Sequence, residues 1–152
     1  MRFTRLYEEL KFDDVFAPAS KEEVADRKLR YGEIIVKEIL DNDKKTRLED
    51  GSWSIDGDLN IQNCGLNNLK NLKSLNISKV TGSFYCYHNQ LTSLEGAPKE
   101  VGRDFCCGDN KLTSLEGCPK EVRGDFSCSK NIKKFTEKEV KSICRVKSEI
   151  LV

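Results

Sequence analysis

Three segments in the second half of the chain fall into line at a period of 21 residues: VTGSFYCYHNQLTSLEGAPKE from Val80, VGRDFCCGDNKLTSLEGCPKE from Val101 and VRGDFSCSKNIKKF from Val122. Phe84, Phe105 and Phe126 coincide, as do Cys86, Cys107 and Cys128, and then Asn89, Asn110 and Asn131. The block LTSLEGxPKEV occurs twice, with Ala97 replaced by Cys118 as its only change. Self-similarity at such a period marks a chain that stacks copies of one small unit, each burying its apolar side against the next. A diverged copy lies 25 residues upstream in IDGDLNIQNCGLNNL, where Ile55, Leu59, Ile61, Cys64, Leu66 and Leu69 stand opposite Val80, Phe84, Cys86, Asn89, Leu91 and Leu94. The four extra residues fall in KNLKSLNISK, which reads as a connection.

The shared pattern is apolar, any, apolar, two polar, Asn or Cys, any, Leu, two polar, Leu. Its first part alternates, as a short strand with one buried face does; an Asn turn, a second apolar pair and a Gly and Pro turn follow. With 152 residues the chain is about one domain in size.

This frame resembles the leucine-rich repeat, and its shortness, with LTSL running into a Pro turn, is similar to the short bacterial effector type. The phrasing LTSLEGAPKEV, with GSFYC and GRDFCC at the strands, resembles a family of small repeat proteins of tailed bacteriophages, over about residues 51 to 135. The chain departs from the standard repeat in placing Phe and Cys where Leu and Val are usual. The resemblance implies an α/β solenoid, a short leucine-rich-repeat array of about four coils. It also implies a viral protein that binds and modulates a host or viral protein, for example a host defence factor.

Both flanks read as helical caps of one structural unit: residues 1–50 before the repeats at 51–135, and residues 136–152 after them. SKEEVADRKLRYGEIIVKEIL has Ser20 and Glu23 at capping-box spacing and places Val24, Tyr31, Ile35 and Ile39 on one helical stripe. FTEKEVKSICRVKS repeats the device with Thr136 and Glu139, and Val140, Ile143 and Cys144 share a face. A stacked array exposes the apolar edge of its last unit, so a helix over that edge is a structural requirement.

Cys86 and His88, the only histidine, suggest a thiol and base, yet the repeat argues otherwise. Cys86 falls on the inward phase of the strand, where free cysteine behaves as a small apolar residue. His88 stands where the other copies have Asp109 and Lys130, a variable polar position. Homologous positions on adjacent strands lie in a line about 4.8 Å apart, so the cysteine column does not converge on a metal, and no CxxC pair occurs. Asp13, Asp14, Glu22, Glu23 and Asp26 suit helix-start and surface roles. No catalytic constellation, metal site or cofactor is expected.

The same alternation sends Asp58, Asn60 and Gln62, then Ser83, Tyr85 and Tyr87, then Asp104, Cys106 and Gly108, then Asp125, Ser127 and Ser129 to the outer face. The candidate partner-binding residues are Tyr85 and Tyr87 as anchors, with Asp58, Asn60, Gln62, Asp104, Cys106, Asp125 and Ser127 around them. Tyrosine supplies a large contact area at low entropy cost, and the Asp row complements a basic partner surface.

Bulk charge favours no anionic partner: 26 basic and 25 acidic residues give a net +1. Residues 1–50 carry 11 basic and 13 acidic groups, whereas the tail from Ser129 has seven basic and three acidic. That tail gives the alternative of nucleic-acid binding through Lys133, Lys134, Lys138 and Lys141, which the lack of interleaved aromatics disfavours. No apolar run approaches the ~20 residues that span a bilayer, and MRFTRLYEELKFDD lacks the apolar core of a secretion signal. No membrane partner is expected. The chain is expected in a cytosol, the host cell's if it is viral, with its seven cysteines largely reduced. Exposed flanks leave self-association open.

Overall fold

Four successive copies turn a corner at a glycine, Gly57, Gly82, Gly102 and Gly124, and that corner decides the architecture. In the computed structural model, which describes residues 34, 36, 37, 40, 41 and 44–152, the stretch from Val80 to Cys86 is two strands in two different sheets. The strands are β1 (Lys45–Arg47), β2 (Trp53–Ile55), β3 (Leu59–Asn60), β4 (Ile77–Val80), β5 (Phe84–Tyr85), β6 (Glu100–Val101), β7 (Phe105–Cys106), β8 (Glu121–Val122), β9 (Phe126–Ser127), β10 (Arg145–Val146) and β11 (Ile150–Leu151). One sheet runs β1-β2-β4-β6-β8-β10 and the other β11-β9-β7-β5-β3. All pairings are parallel except that of β1 with β2.

The expected α/β solenoid of the leucine-rich type, with helical caps at both ends, is therefore corrected to two open, parallel-rich sheets of six and five strands. Within residues 44–152 two short helices accompany them, α1 (Lys70–Ser74) and α2 (Glu137–Ile143). The physical reason lies at Gly82, Gly102 and Gly124. A Cβ at Gly102 would lie 2.0 Å from the Thr81 carbonyl oxygen, and one at Gly82 or Gly124 would strike Asp58 or Asp104. Glycine lets the chain fold tightly against the preceding copy there, so the apolar alternation continues in phase while the strand breaks in two.

The C-terminal segment is corrected as well. Thr136 does cap α2: its backbone N–H donates to Glu139 Oε2 at 2.8 Å, and its hydroxyl accepts from the Glu139 N–H at 3.3 Å. Beyond Ile143, however, the chain returns to the sheets, adding β10 beside β8 and β11 beside β9. VKSEILV from Val146 is thus a further copy of VRGDFSC from Val122, offset by 24 residues because α2 is inserted. At the other end, Ile34, Val36, Lys37, Leu40 and Asp41 are helical in backbone, and Val36 and Leu40 are buried in the core. The stripe of Val24, Tyr31, Ile35 and Ile39, the cap at Ser20 and Glu23, and the carboxylates from Asp13 to Asp26 lie outside the described residues.

A single apolar core fills the space between the sheets in columns. Leu59, Phe84, Phe105, Phe126 and Ile150 pair in register, with ring centroids 5.6 Å apart for Phe84 and Phe105 and 5.1 Å apart for Phe105 and Phe126. Val80, Val101 and Val122 form a second column, and Leu91, Leu94, Leu112 and Leu115 close the third side of each copy. That third side needs further satisfaction of backbone groups, because it is not a strand ladder and only one backbone bond per copy crosses it, as from the Lys111 N–H to the Leu91 carbonyl at 2.9 Å. Asn89, Asn110 and Asn131 provide it. The Asn89 Oδ1 accepts from the Cys64 and Leu66 N–H groups, both at 3.0 Å, while its Nδ2 donates to the Ile61 and Cys86 carbonyls at 2.9 and 3.0 Å. Asn110 and Asn131 repeat the arrangement one and two copies on. Among the described residues no helix is long and apolar enough to cross a membrane.

Candidate functional site

The outer face of the five-stranded sheet carries the candidate residues, arranged in rows by strand register. The middle row is Asn60, Tyr85, Cys106, Ser127 and Leu151. Backbone bonds hold it flat: Ile61, Cys86, Cys107 and Cys128 donate to the carbonyls of Tyr85, Cys106, Ser127 and Leu151 at 2.8–2.9 Å. Because inward and outward residues alternate, each rigidly buried Phe and Cys fixes an outward neighbour. The row beyond contains Gln62, Tyr87, Gly108 and Ser129.

Tyr85 and Tyr87 are half-buried, and their rings meet edge to face with centroids 6.2 Å apart and an interplanar angle of 88°. Tyr87 also packs on His88, with centroids 5.1 Å apart. Packing of this kind restricts the motion of both tyrosines. Their neighbours toward the C-terminus are small: Cys106 and Ser127 in one row, Gly108 and Ser129 in the next. Leu151, 49% exposed, then rises on β11.

The acidic row begins each copy, just after the corner, and has a structural duty. The Ser83 N–H donates to Asp58 Oδ1 at 2.7 Å, the Asp104 N–H to Ser83 Oγ at 3.3 Å, the Asp125 N–H to Asp104 Oδ1 at 2.9 Å, and the Glu149 N–H to Asp125 Oδ1 at 3.0 Å. One oxygen of each aspartate thus accepts a backbone N–H of the next copy, and Ser83, 3% exposed, takes the same part by its hydroxyl. The Ser148 hydroxyl, followed by the Glu149 N–H, holds the Asp125 carboxyl below the usual range. Asn60 Oδ1 is engaged locally by the Gln62 N–H at 3.1 Å, and Gln62 Oε1 is buried without a hydrogen-bond partner.

Cys86 and His88 part company. Cys86 is fully buried in the column with Cys107 and Cys128, and burial pushes its thiol far above the ordinary range. His88 turns outward at a left-handed corner, with φ of 53°, a conformation repeated at Asn63, Asp109 and Lys130. Its Nδ1 lies 3.8 Å from Asp109 Oδ2, which is also 3.8 Å from Lys130 Nζ. No group of three or more potential metal ligands occurs among the described residues. Cys106 is the outward thiol, its pKa raised first by burial and then by the Asp104 and Asp125 charges.

The basic tail is largely paired with carboxylates. Lys133 meets Glu139 at 2.6 Å, Lys141 meets Glu137 at 2.9 Å and Lys147 meets Glu121 at 3.4 Å. Lys134 and Lys138 are exposed.

Two contributors to the face escaped the sequence reading, Leu151 and Glu149. The signal for them is the V-x-x-acid-apolar spacing of Val146, Glu149 and Ile150, which matches Val122, Asp125 and Phe126 at an offset of 24 rather than 21. Comparison with family models, curated proteins and solved structures gives no match.

Proposed function

We propose that this chain is a non-catalytic protein-recognition module that binds its partner, a host or viral protein, across the outer face of the five-stranded sheet, with Tyr85 and Tyr87 as anchors. The observation that carries this reading is the pair itself: two interlocked, half-exposed tyrosines on successive outward positions along β5 and its extension, on a face whose other outward positions, Leu151 apart, are small or polar. Large amphipathic side chains held in place are what interface hot spots are made of, since little side-chain entropy remains to be lost on binding. A reducing, cytosolic setting accords with this reading, because all seven cysteines are free thiols.

The test is co-purification from the native cell with the wild type and with the Tyr85→Ala, Tyr87→Ala double variant, alongside Tyr85→Phe, Tyr87→Phe as a control that keeps both rings. A specific partner is expected with the wild type, reduced at least about tenfold with the alanine variant, as hot-spot truncation of ≥ 2 kcal/mol gives. Equal recovery of that partner by the folded alanine variant would refute the assignment of the face.

A further inference from the structure

Side-chain size across the rows shapes the face. Tyr85 and Tyr87 make one wall, Cys106, Gly108, Ser127 and Ser129 a low floor two strands wide, and Leu151 a second wall. With strands about 4.8 Å apart, the trough is about 14 Å from wall to wall and suits one chain segment of a partner. Its two long ends differ in charge. At one end stand Asp104, Asp125 and Glu149, and among the described residues none of the three is in an ion pair. Two of the neighbouring cations are diverted, and Arg103, beside Asp104, is exposed. Arg123 and Lys147 reach to Glu121 in the six-stranded sheet, at 3.1 and 3.4 Å. At the other end Asp109 is already met by Lys130 and His88.

We propose that the partner seats a short segment in this trough, with a lysine or arginine side chain crossing Tyr85 to reach the Asp104 and Asp125 carboxylates. The inference rests on the reading of the face given above and adds the chemistry of its occupant. A cation placed there gains the ring face of Tyr85 and two carboxylates that, among the described residues, pair with no cation. Asp104 and Asp125 stand two residues before Cys106 and Ser127 on the same face, which sets both carboxylates at the end of this floor. A polyanion is disfavoured by the same end.

The experiment uses displayed random heptapeptides as the probe, selected on the whole protein and compared on two variants. Asp104→Asn with Asp125→Asn removes both charges while each amide oxygen keeps accepting the Asp125 or Glu149 N–H, so the scaffold is retained. Tyr85→Ala with Tyr87→Ala removes the wall. Peptides enriched on the wild type are expected to carry a lysine or arginine, to bind the Asn variant at least tenfold more weakly, to weaken with added salt, and to lose the Ala variant altogether. Peptides lost on the Ala variant but without a basic residue, or bound equally by the Asn variant, would overturn the inference and leave the face standing. Peptides that bind the Ala variant as well as the wild type, or no enrichment at all, would overturn both.

Discussion

Asn110→Ala should lose about 3 kcal/mol of folding stability, measured by chemical denaturation at neutral pH. The side chain is 7% exposed; its Oδ1 accepts from the Leu91 N–H at 2.9 Å, and its Nδ2 donates to the Cys86, Cys107 and Gly108 carbonyls at 3.0, 3.1 and 3.1 Å. Alanine strands the Leu91 N–H and takes one donor from each of the three carbonyls, which keep a second in Asn89 Nδ2, Asn131 Nδ2 and the His88 N–H. Each unsatisfied buried group costs about 1–3 kcal/mol, less what an entering water recovers. Asn110→Asp is a sharper probe, because it keeps the acceptor and turns a charge toward carbonyl oxygens. Its carboxyl pKa is then raised in the folded state, so the variant should be least stable at neutral pH and should regain stability as the pH falls below that raised value. A loss under about 1 kcal/mol for Asn110→Ala would mean that the Asn ladder is not what closes the turn.

Phe105→Ala should be the most damaging substitution of the core, costing about 3–5 kcal/mol. Phe105 is fully buried between the Phe84 and Phe126 rings, in the middle of the column, and strands stand on both sides of it. Neither neighbour can move in to fill the void without leaving its own register. Phe105→Leu, which keeps much of the volume, should lose only about 1–1.5 kcal/mol. Equal losses for the two variants would show that the column tolerates a cavity and is not close-packed.

How far the sequence foretold this molecule depends on which forces act within one copy and which act between copies. Burial acts within a copy, and its alternation is written plainly: Phe84 and Cys86 inward, Tyr85 and Tyr87 outward, repeated 21 residues later. The Asn ladder was legible for the same reason, since a polar residue repeated in phase among apolar ones needs backbone partners. The corner was not. Gly82, Gly102 and Gly124 do not align at one phase, and what makes them necessary is a clash with the preceding copy, which no single copy displays. The aspartates misled in a similar way. Their row was read as a charged surface alone, whereas each also accepts an N–H of the copy that follows. The last copy went unseen because Ile150 and Val152 replace Phe and Cys and the inserted α2 shifts the period to 24. Register across a sheet is indifferent to the number of residues between strands, but a search at one period is not.

The central claim is that every copy turns its Phe and Cys column inward and presents the Tyr85, Cys106 and Ser127 row to a partner. Native-state thiol labelling with residue-resolved mass spectrometry reads which way each residue faces in one sample, because Cys106 lies on the outer side of the sheet and Cys86, Cys107 and Cys128 on the inner side. Adjacent residues make the comparison internal: Cys106 lies outward and half-exposed, while Cys107 is fully buried with its thiol raised well above the ordinary range. Cys106 should react first, and Cys86 and Cys107 only at the rate at which the protein unfolds. Cys107 or Cys86 reacting as fast as Cys106 under native conditions would contradict the account, since the face proposed for recognition would then be no more exposed than the core.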